Sequence, residues 1–448
     1  MSPAKPAKRQ RDIGGGVRMA AVKSYLTIES GNVFIQDVLS KAFNNYHLDS
    51  RDKRYLHEML TGAVKMRGRL EYIIDKFLKG DISRWTRACL ILGLYQMVFS
   101  SGTPDYAAVN EFVALAARHE NPGAASIVNA ILRRYQRESA SIEYPDPGND
   151  PVGYLQHYHS LPRWLCEDWV KRFGYTNTLK LAQWANSRQP PSVKLYGAAS
   201  DLPLSTGFEK HPAFPDYYYY TGKGDPRQSE PYRKAKIYFQ DPGAGFAVKI
   251  SEAKPGDTVF DIGAAPGGKS INLFESMKGD GQLIAIESNK GKINGLKKNL
   301  YRMGINTVNI VNADINGYET DARADVVLVD VPCSGLGTLS RNADLRWRVK
   351  PEQIADYADQ QLKMLRSSSK PVKPGGVLIY STCTMTEEEN RDTVNKFLNE
   401  NRNFERDPID GGRFNLSPES TTTAGDLFIL PYHYETDGAF VSRMRRKE

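Results

Sequence analysis

"FDIGAAPGGKS", residues 260–270, is the stretch that decides the fold. It starts inside the apolar run "DTVFDIG" and opens into "GKSINLFESM", whose apolar positions recur at helical spacing. A strand that passes through glycines into a helix is where an α/β sheet holds a nucleotide-like ligand, because the helix start presents unpaired N–H groups. The chain keeps alternating downstream, through "QLIAIES", "KINGLKKNLYRMG", "VNIVNAD", "ADVVLVD", "PEQIADYADQQLKMLRSSS", "GGVLIYSTC" and "EENRDTVNKFLNE". That pattern predicts a Rossmann-like, doubly wound parallel sheet with helices on both faces over residues 236–448. "GAFVSRMRR" reads as a closing strand added antiparallel.

The glycine loop admits more than one reading. Gly263–Ser270 matches G-x-x-x-x-G-K-[ST], the phosphate loop of nucleotide hydrolases, and Asp330 after "DVVLVD" would then hold magnesium. Pro266 argues against it, because a residue without an N–H sits inside a loop meant to surround phosphate with N–H groups. Glu287, closing "LIAIES", is placed as an acid that binds a ribose diol. An ordinary tight strand-to-helix turn is the third reading.

A hydrolase also leaves "LVDVPCSGLG" (328–337) and "LIYSTCTMTEEEN" (378–390) unexplained. Each puts a cysteine, Cys333 or Cys383, in turn chemistry at the end of a strand, outside the apolar runs where packing thiols reside. Neighbouring strands would bring the two together at the carboxyl edge of the sheet. Two thiols beside the acid Asp330 at one sheet edge suit covalent chemistry better than packing. Spacing does not decide which thiol attacks. Lys269, beside the glycine loop, is placed to lower a thiol pKa or touch the substrate.

The rest of the chain bounds the reading. It has 448 residues and a formal net charge of +8, which suits a polyanionic partner without choosing among RNA, DNA and acidic membranes. No segment approaches about 18 apolar residues, so no membrane span is expected, and "MSPAKPAKRQRDIGGG" lacks the apolar core of a secretory signal. The four cysteines form no CxxC and fit neither a metal site nor a disulfide framework, which points to a reducing, cytoplasmic protein without metal. Cys89 and Cys166 lie in apolar helical runs and read as core. Residues 1–16 read as a disordered basic tail, and 17–140 as a bundle of about six helices. Residues 141–235 read as a linker followed by a small α/β subdomain that binds RNA. Tyr217–Tyr220 fit either a strand or a base-stacking platform. Arg341, Arg346 and Trp347 are candidates to hold phosphate or stack on a base, with core packing an equal reading for Trp347.

"DIGAAPGGKS", "DVPCSG" and "YSTCT" together resemble the motifs of the Sun (Fmu) family of RNA cytosine-5 methyltransferases, in family order. "FQDPGAG", "SRNADLRW" and "DGAFVSRM" agree with it, and the helical front resembles the RNA-binding module related to the antitermination factor NusB, as in the family's bacterial small-subunit ribosomal RNA enzymes. The resemblance implies S-adenosylmethionine as methyl donor and a cytidine of 16S ribosomal RNA as target. It implies that Cys383 attacks and Cys333 supports release, with Asp330 and Lys269 beside them. Cofactor contacts carry over to Ala264, Ala265, Pro266, Gly267, Gly268, Lys269, Glu287, Lys292, Asp314 and Asp330. The family often has Asp at the Glu287 position and Arg at the Lys292 position. The expected partner is RNA, with no membrane and no metal, and the expected state is a monomer. The rival classes are a nucleotide hydrolase and a non-catalytic RNA-binding assembly factor.

Overall fold

A computed structural model describes residues 16–31, 33–100, 104–197, 202 and 207–448. The expected basic tail lies outside them except for Gly16. The chain divides into two compact units. The first runs through Asn186 and takes in Arg346–Arg348; the second holds Ser187–Leu345 and Val349–Glu448.

The first unit is helical: α1 (Val17–Glu29), α2 (Ile35–Asn45), α3 (Ser50–Lys65), α4 (Arg67–Phe77), α5 (Arg84–Phe99), α6 (Asp105–His119), α7 (Pro122–Glu138), α8 (Pro151–His157) and α9 (Arg163–Asn186), the last broken at Gly174. Seven helices, one more than expected, precede Ser139, because the stretch from Tyr55 to Leu78 divides at Met66, whose φ −96° and ψ 13° leave the helix. Side chains start several of them: the Asp49 carboxylate accepts from Arg51 N and Asp52 N, and Asn121 from Ala124 N ahead of Pro122. Helix α5 is buried without interruption from Ala88 to Gln96, which is why its sequence is apolar on all sides. Cys89 and Cys166 are fully buried in this unit, and burial pushes both thiols up to about 12. Among the described residues no helix is long and apolar enough to cross a membrane.

The expected 141–235 segment does not stand as one body. Its front packs on the helical unit: Tyr72 Oη donates to Glu143 O at 2.8 Å, Arg69 Nε donates to Tyr144 Oη at 3.1 Å, and Asp150 caps α8. The polar composition that suggested a free linker supplies caps and turns instead. Its strands belong to the second unit.

That unit opens with β1 (Ser192–Leu195), β2 (Phe208–Lys210), β3 (Tyr217–Tyr220), α10 (Glu230–Arg233) and β4 (Ile237–Phe239), the strands forming an antiparallel sheet in the order β2-β3-β1-β4. Tyr217, Tyr218 and Tyr219 are buried in it, so the tyrosine run is a packed strand and offers no base platform. There follow α11 (Pro242–Ser251), β5 (Thr258–Ile262), α12 (Gly268–Ser276), β6 (Gln282–Ile286), α13 (Lys290–Arg302), β7 (Asn309–Val311), β8 (Ala324–Asp330), α14 (Leu345–Arg348, of which Arg346–Arg348 belong to the first unit), α15 (Glu352–Ser369), β9 (Val372–Thr382), α16 (Thr393–Glu400), β10 (Phe404–Arg406), β11 (Leu427–Ile429), α17 (Pro431–Tyr434) and β12 (Ala439–Arg446).

The large sheet has the order β10-β12-β9-β8-β5-β6-β7, with β11 against β12. Strands β5 to β9 are parallel, and β12 lies antiparallel to β9. Along β8 the side chains alternate: Val326 and Leu328 join the core under α11, while Val327 and Val329 join the core under α15 and α16. The chain leaves β5 outward through β6 and β7, then returns to β8 on the other flank of β5. That reversal opens a crevice at the carboxyl ends of β5 and β8, where ligands of such sheets bind.

Candidate active site

Parallel pairing of β8 with β9 aligns Asp330 with Ser381, so the loops that leave the two strands emerge side by side. Those loops carry Cys333 and Cys383, both partly exposed, and their sulfurs approach to 3.4 Å. Gly337 N donates to Cys383 O at 2.9 Å, and a Cβ at Gly337 would lie 2.7 Å from that oxygen, so only glycine allows the approach. The hydrogen bond to Cys383, with burial and the neighbouring Glu389, pushes the Cys333 thiol well above the ordinary thiol range. Either sulfur can donate to the other across this contact.

Asp330 ends β8 and receives a hydrogen bond from Lys269 Nζ at 2.8 Å. Burial works to lower the Lys269 ammonium, but Asp330, Asp261 and Cys383 more than offset it and hold it above the ordinary lysine value. Ser270 Oγ donates to Asp261 Oδ2 at 2.5 Å. The two side chains that a phosphate loop would turn toward phosphate and magnesium are thus engaged with carboxylates.

The glycine loop joins β5 to α12. Gly263 has φ +77°, and a Cβ there would lie 2.3 Å from Asp330 O, so the loop presses against the end of β8. Glu287 sits just beyond β6, largely buried, with Oε1 accepting from Asn289 N at 2.8 Å and Oε2 from Ala265 N at 3.3 Å. Asn312 Nδ2 donates to Glu287 O at 2.8 Å and ties the end of β7 to it. Pro266 is exposed and its carbonyl accepts from Asn299 at 2.8 Å, while Ala264, Gly267 and Gly268 line the turn into α12. Lys292 is exposed on α13, and Asp314 is exposed with its carboxylate capping Asn316 N.

These groups fit a nucleoside-linked sulfonium donor. The Glu287 carboxylate, steadied by two backbone N–H groups, keeps lone pairs for a diol. Asp261 is fully buried with Oδ1 unpartnered, and burial pushes its carboxyl up to about 6.

Sequence reasoning missed three features. Asp261 interrupts a buried strand, a signal present in "VFDIG". Glu389 is buried between the two cysteine loops, although "TEEEN" looks like a solvated helix start. Arg341, expected on RNA, donates to Asp241 Oδ2 at 2.7 Å and Ser192 Oγ at 3.0 Å and pairs with Asp437 at 3.3 Å, which joins the three outlying motifs in one cluster. Two other candidates for RNA contact, Arg346 and Trp347, the latter read equally as core, lie in the helical unit. Arg346 is fully buried, donating to Lys65 O, Ser160 O, Asn186 Oδ1 and Ala185 O. Trp347 donates to Val64 O at 2.7 Å. Both are used in packing because backbone carbonyls at helix ends need buried donors.

The family model described as 16S rRNA methyltransferase RsmB/F matches residues 248–445, and the NusB family model matches residues 17–137. The probable ribosomal RNA small subunit methyltransferase B of Synechocystis sp. is 31% identical over 431 residues, covering 91% of this chain and 94% of its own. That of Bacillus subtilis, under the same description, is 29% identical over 96% of this chain and 99% of its own. The crystal structure of PH0851 shares the fold, with a TM-score of 0.77 at 24% identity over 98% of this chain and 100% of that one. The site lies within the residues that match, and the chain belongs to the RsmB/F family of 16S rRNA methyltransferases and carries a NusB family domain in front.

Proposed function

We propose that the chain methylates position 5 of a cytidine in small-subunit ribosomal RNA, as a cytoplasmic monomer. The observation that carries this reading is the 3.4 Å approach of two sulfurs beside the Lys269–Asp330 pair, at the mouth of the glycine loop. Bound S-adenosylmethionine would supply an activated methyl group on sulfur. Glu287 would take its ribose hydroxyls, the backbone of Ala264–Gly268 its methionine end, and Lys292, Asp314 and Asp330 its remaining contacts.

The protein's own residues act on the flipped-out base. The Cys383 sulfur forms a bond to C6, and the ring electrons move toward C5 and N3. Asp330, oriented by Lys269, takes the proton that the Cys383 thiol gives up and passes it to N3 as charge develops there. Once C5 has taken the methyl group, the C5 proton passes to a base, the N3 proton returns to Asp330, the C5–C6 double bond re-forms, and the bond to Cys383 breaks with its electrons returning to sulfur. Cys333 lies within contact of that sulfur and assists this release. The helical NusB family domain in front supports an RNA substrate.

The test is incubation of the full chain with unmodified small-subunit ribosomal RNA and labelled methyl donor, followed by mapping of the modified nucleotide. Label at C5 of one cytidine supports the reading. ATP hydrolysis without methyl transfer would instead restore the hydrolase alternative.

A further inference from the structure

Glu389 is fully buried, and the donors to its carboxylate come from the two cysteine loops and from α15 behind them. It lies in a single turn of π-helix, Glu388–Asp392, ahead of α16. Such turns recur at functional sites because they re-aim a side chain at the cost of regular pairing. Its Oε2 accepts from Ser334 N at 2.8 Å and from Gln361 Nε2 at 2.9 Å. Its Oε1 accepts from Ser334 Oγ at 2.5 Å, Thr386 Oγ1 at 2.8 Å and Thr384 Oγ1 at 3.2 Å. Ser334 follows Cys333 and Thr384 follows Cys383. Gln361 also donates to Pro332 O at 3.0 Å, the residue before Cys333. One carboxylate therefore binds both thiol loops immediately beside their cysteines.

We infer that Glu389 is a positioning residue that sets the separation of the two thiols. The inference rests on the proposed two-thiol reaction for its consequence, but on geometry alone for its existence. Neither strand can set that separation, because β8 and β9 end at Asp330 and Thr382, before both cysteines. Beyond them the loops are joined directly only by a few bonds, Val331 N to Ser381 O at 3.2 Å, Gly337 N to Cys383 O at 2.9 Å and Ser334 Oγ with Thr384 Oγ1 at 2.6 Å, and the buried carboxylate adds several donors from both loops at the cysteines themselves. The requirement is for reach more than for charge. Oε2 must remain an oxygen, because it faces two N–H donors. Oε1 faces only hydroxyls, which can rotate to accept from an amide. Glutamine can therefore keep the bridge, whereas aspartate, one methylene shorter, cannot span both loops.

The test compares Glu389→Gln and Glu389→Asp in the full chain. The first readout is the rate at which diamide joins Cys333 to Cys383 as a disulfide, followed by mass spectrometry; it needs no RNA. The second is kcat and KM for methyl transfer, with binding of S-adenosylmethionine measured by calorimetry. Glu389→Gln should cross-link and turn over much as the wild type does. Glu389→Asp should lose about 10²-fold in cross-linking rate and in kcat, the size expected for misplacing reacting groups by about 1 Å. Its KM and cofactor binding should be unchanged. Wild-type cross-linking in Glu389→Asp overturns the inference. So does rescue by aspartate and failure by glutamine, which would make charge the requirement, or equal loss of cofactor binding in both, the mark of general packing. If the wild type cross-links rapidly yet transfers no methyl group, the proposed function fails while the positioning role stands.

Discussion

Gly263→Ala probes the contact that joins the glycine loop to the catalytic strand end. Two costs add at this position. A residue with a Cβ held at φ +77° is disfavoured by about 1–2 kcal/mol. The new methyl group would also lie 2.3 Å from Asp330 O, a backbone atom that cannot swing aside, and such forced shifts cost about 1–3 kcal/mol. Together they destabilise the second unit by about 3 kcal/mol, a fall in melting temperature of about 6–12 °C for a domain of this size. Gly256→Ala is the internal control: its φ is +87°, but a Cβ there meets nothing within 4 Å, so only the conformational cost of about 1–2 kcal/mol applies. Calorimetry of both variants separates the two costs. Methyl transfer should fall in Gly263→Ala well beyond what stability explains, because the shift moves Asp330 against the loop, and should persist in Gly256→Ala. Equal melting temperatures and equal activities in the two variants would refute the claim that loop and strand end are in forced contact.

Asp261 predicts a pH dependence. Its folded value of about 6 stands above its unfolded 3.8, so its contribution is fully present below about pH 4 and is lost as pH rises through about 6, a total of about 3 kcal/mol. Asp261→Asn should remove that slope, read as amide-exchange protection of β5 across the same window; an unchanged slope would show that another group produces it. Arg346→Met should destabilise the first unit by about 3 kcal/mol, since it leaves buried oxygens of Lys65, Ser160, Ala185 and Asn186 without their donor. All five tryptophans, Trp85, Trp164, Trp169, Trp184 and Trp347, belong to this unit, so tryptophan fluorescence in urea reads the change directly.

The parallel sheet was legible because β5, β8 and β9 carry largely apolar runs that lead into glycine, acid or cysteine. The approach of Cys333 and Cys383 follows from adjacency of two such strands, which the alternation of strand and helix already implied. What stayed hidden depends on contacts remote in sequence or on local register. Three consecutive acids, Glu387, Glu388 and Glu389, look alike in sequence; the π-helix turn alone decides that the third is buried. Arg346 reads as a phosphate contact because a buried arginine leaves no periodic trace, and its acceptors lie between 160 and 281 residues away. The break between α3 and α4 at Met66 involves neither glycine nor proline, so the helical pattern runs on through it.

The central claim is that Cys383 bonds to the base and Cys333 frees it. The most direct measurement is to incubate Cys333→Ala with unmodified small-subunit ribosomal RNA and S-adenosylmethionine, isolate any denaturation-resistant protein–RNA species, and sequence the RNA-bearing peptide. The account predicts that the species accumulates and that the nucleotide is attached at Cys383, while Cys383→Ala forms none. Accumulation in Cys383→Ala with the nucleotide on Cys333 would contradict it.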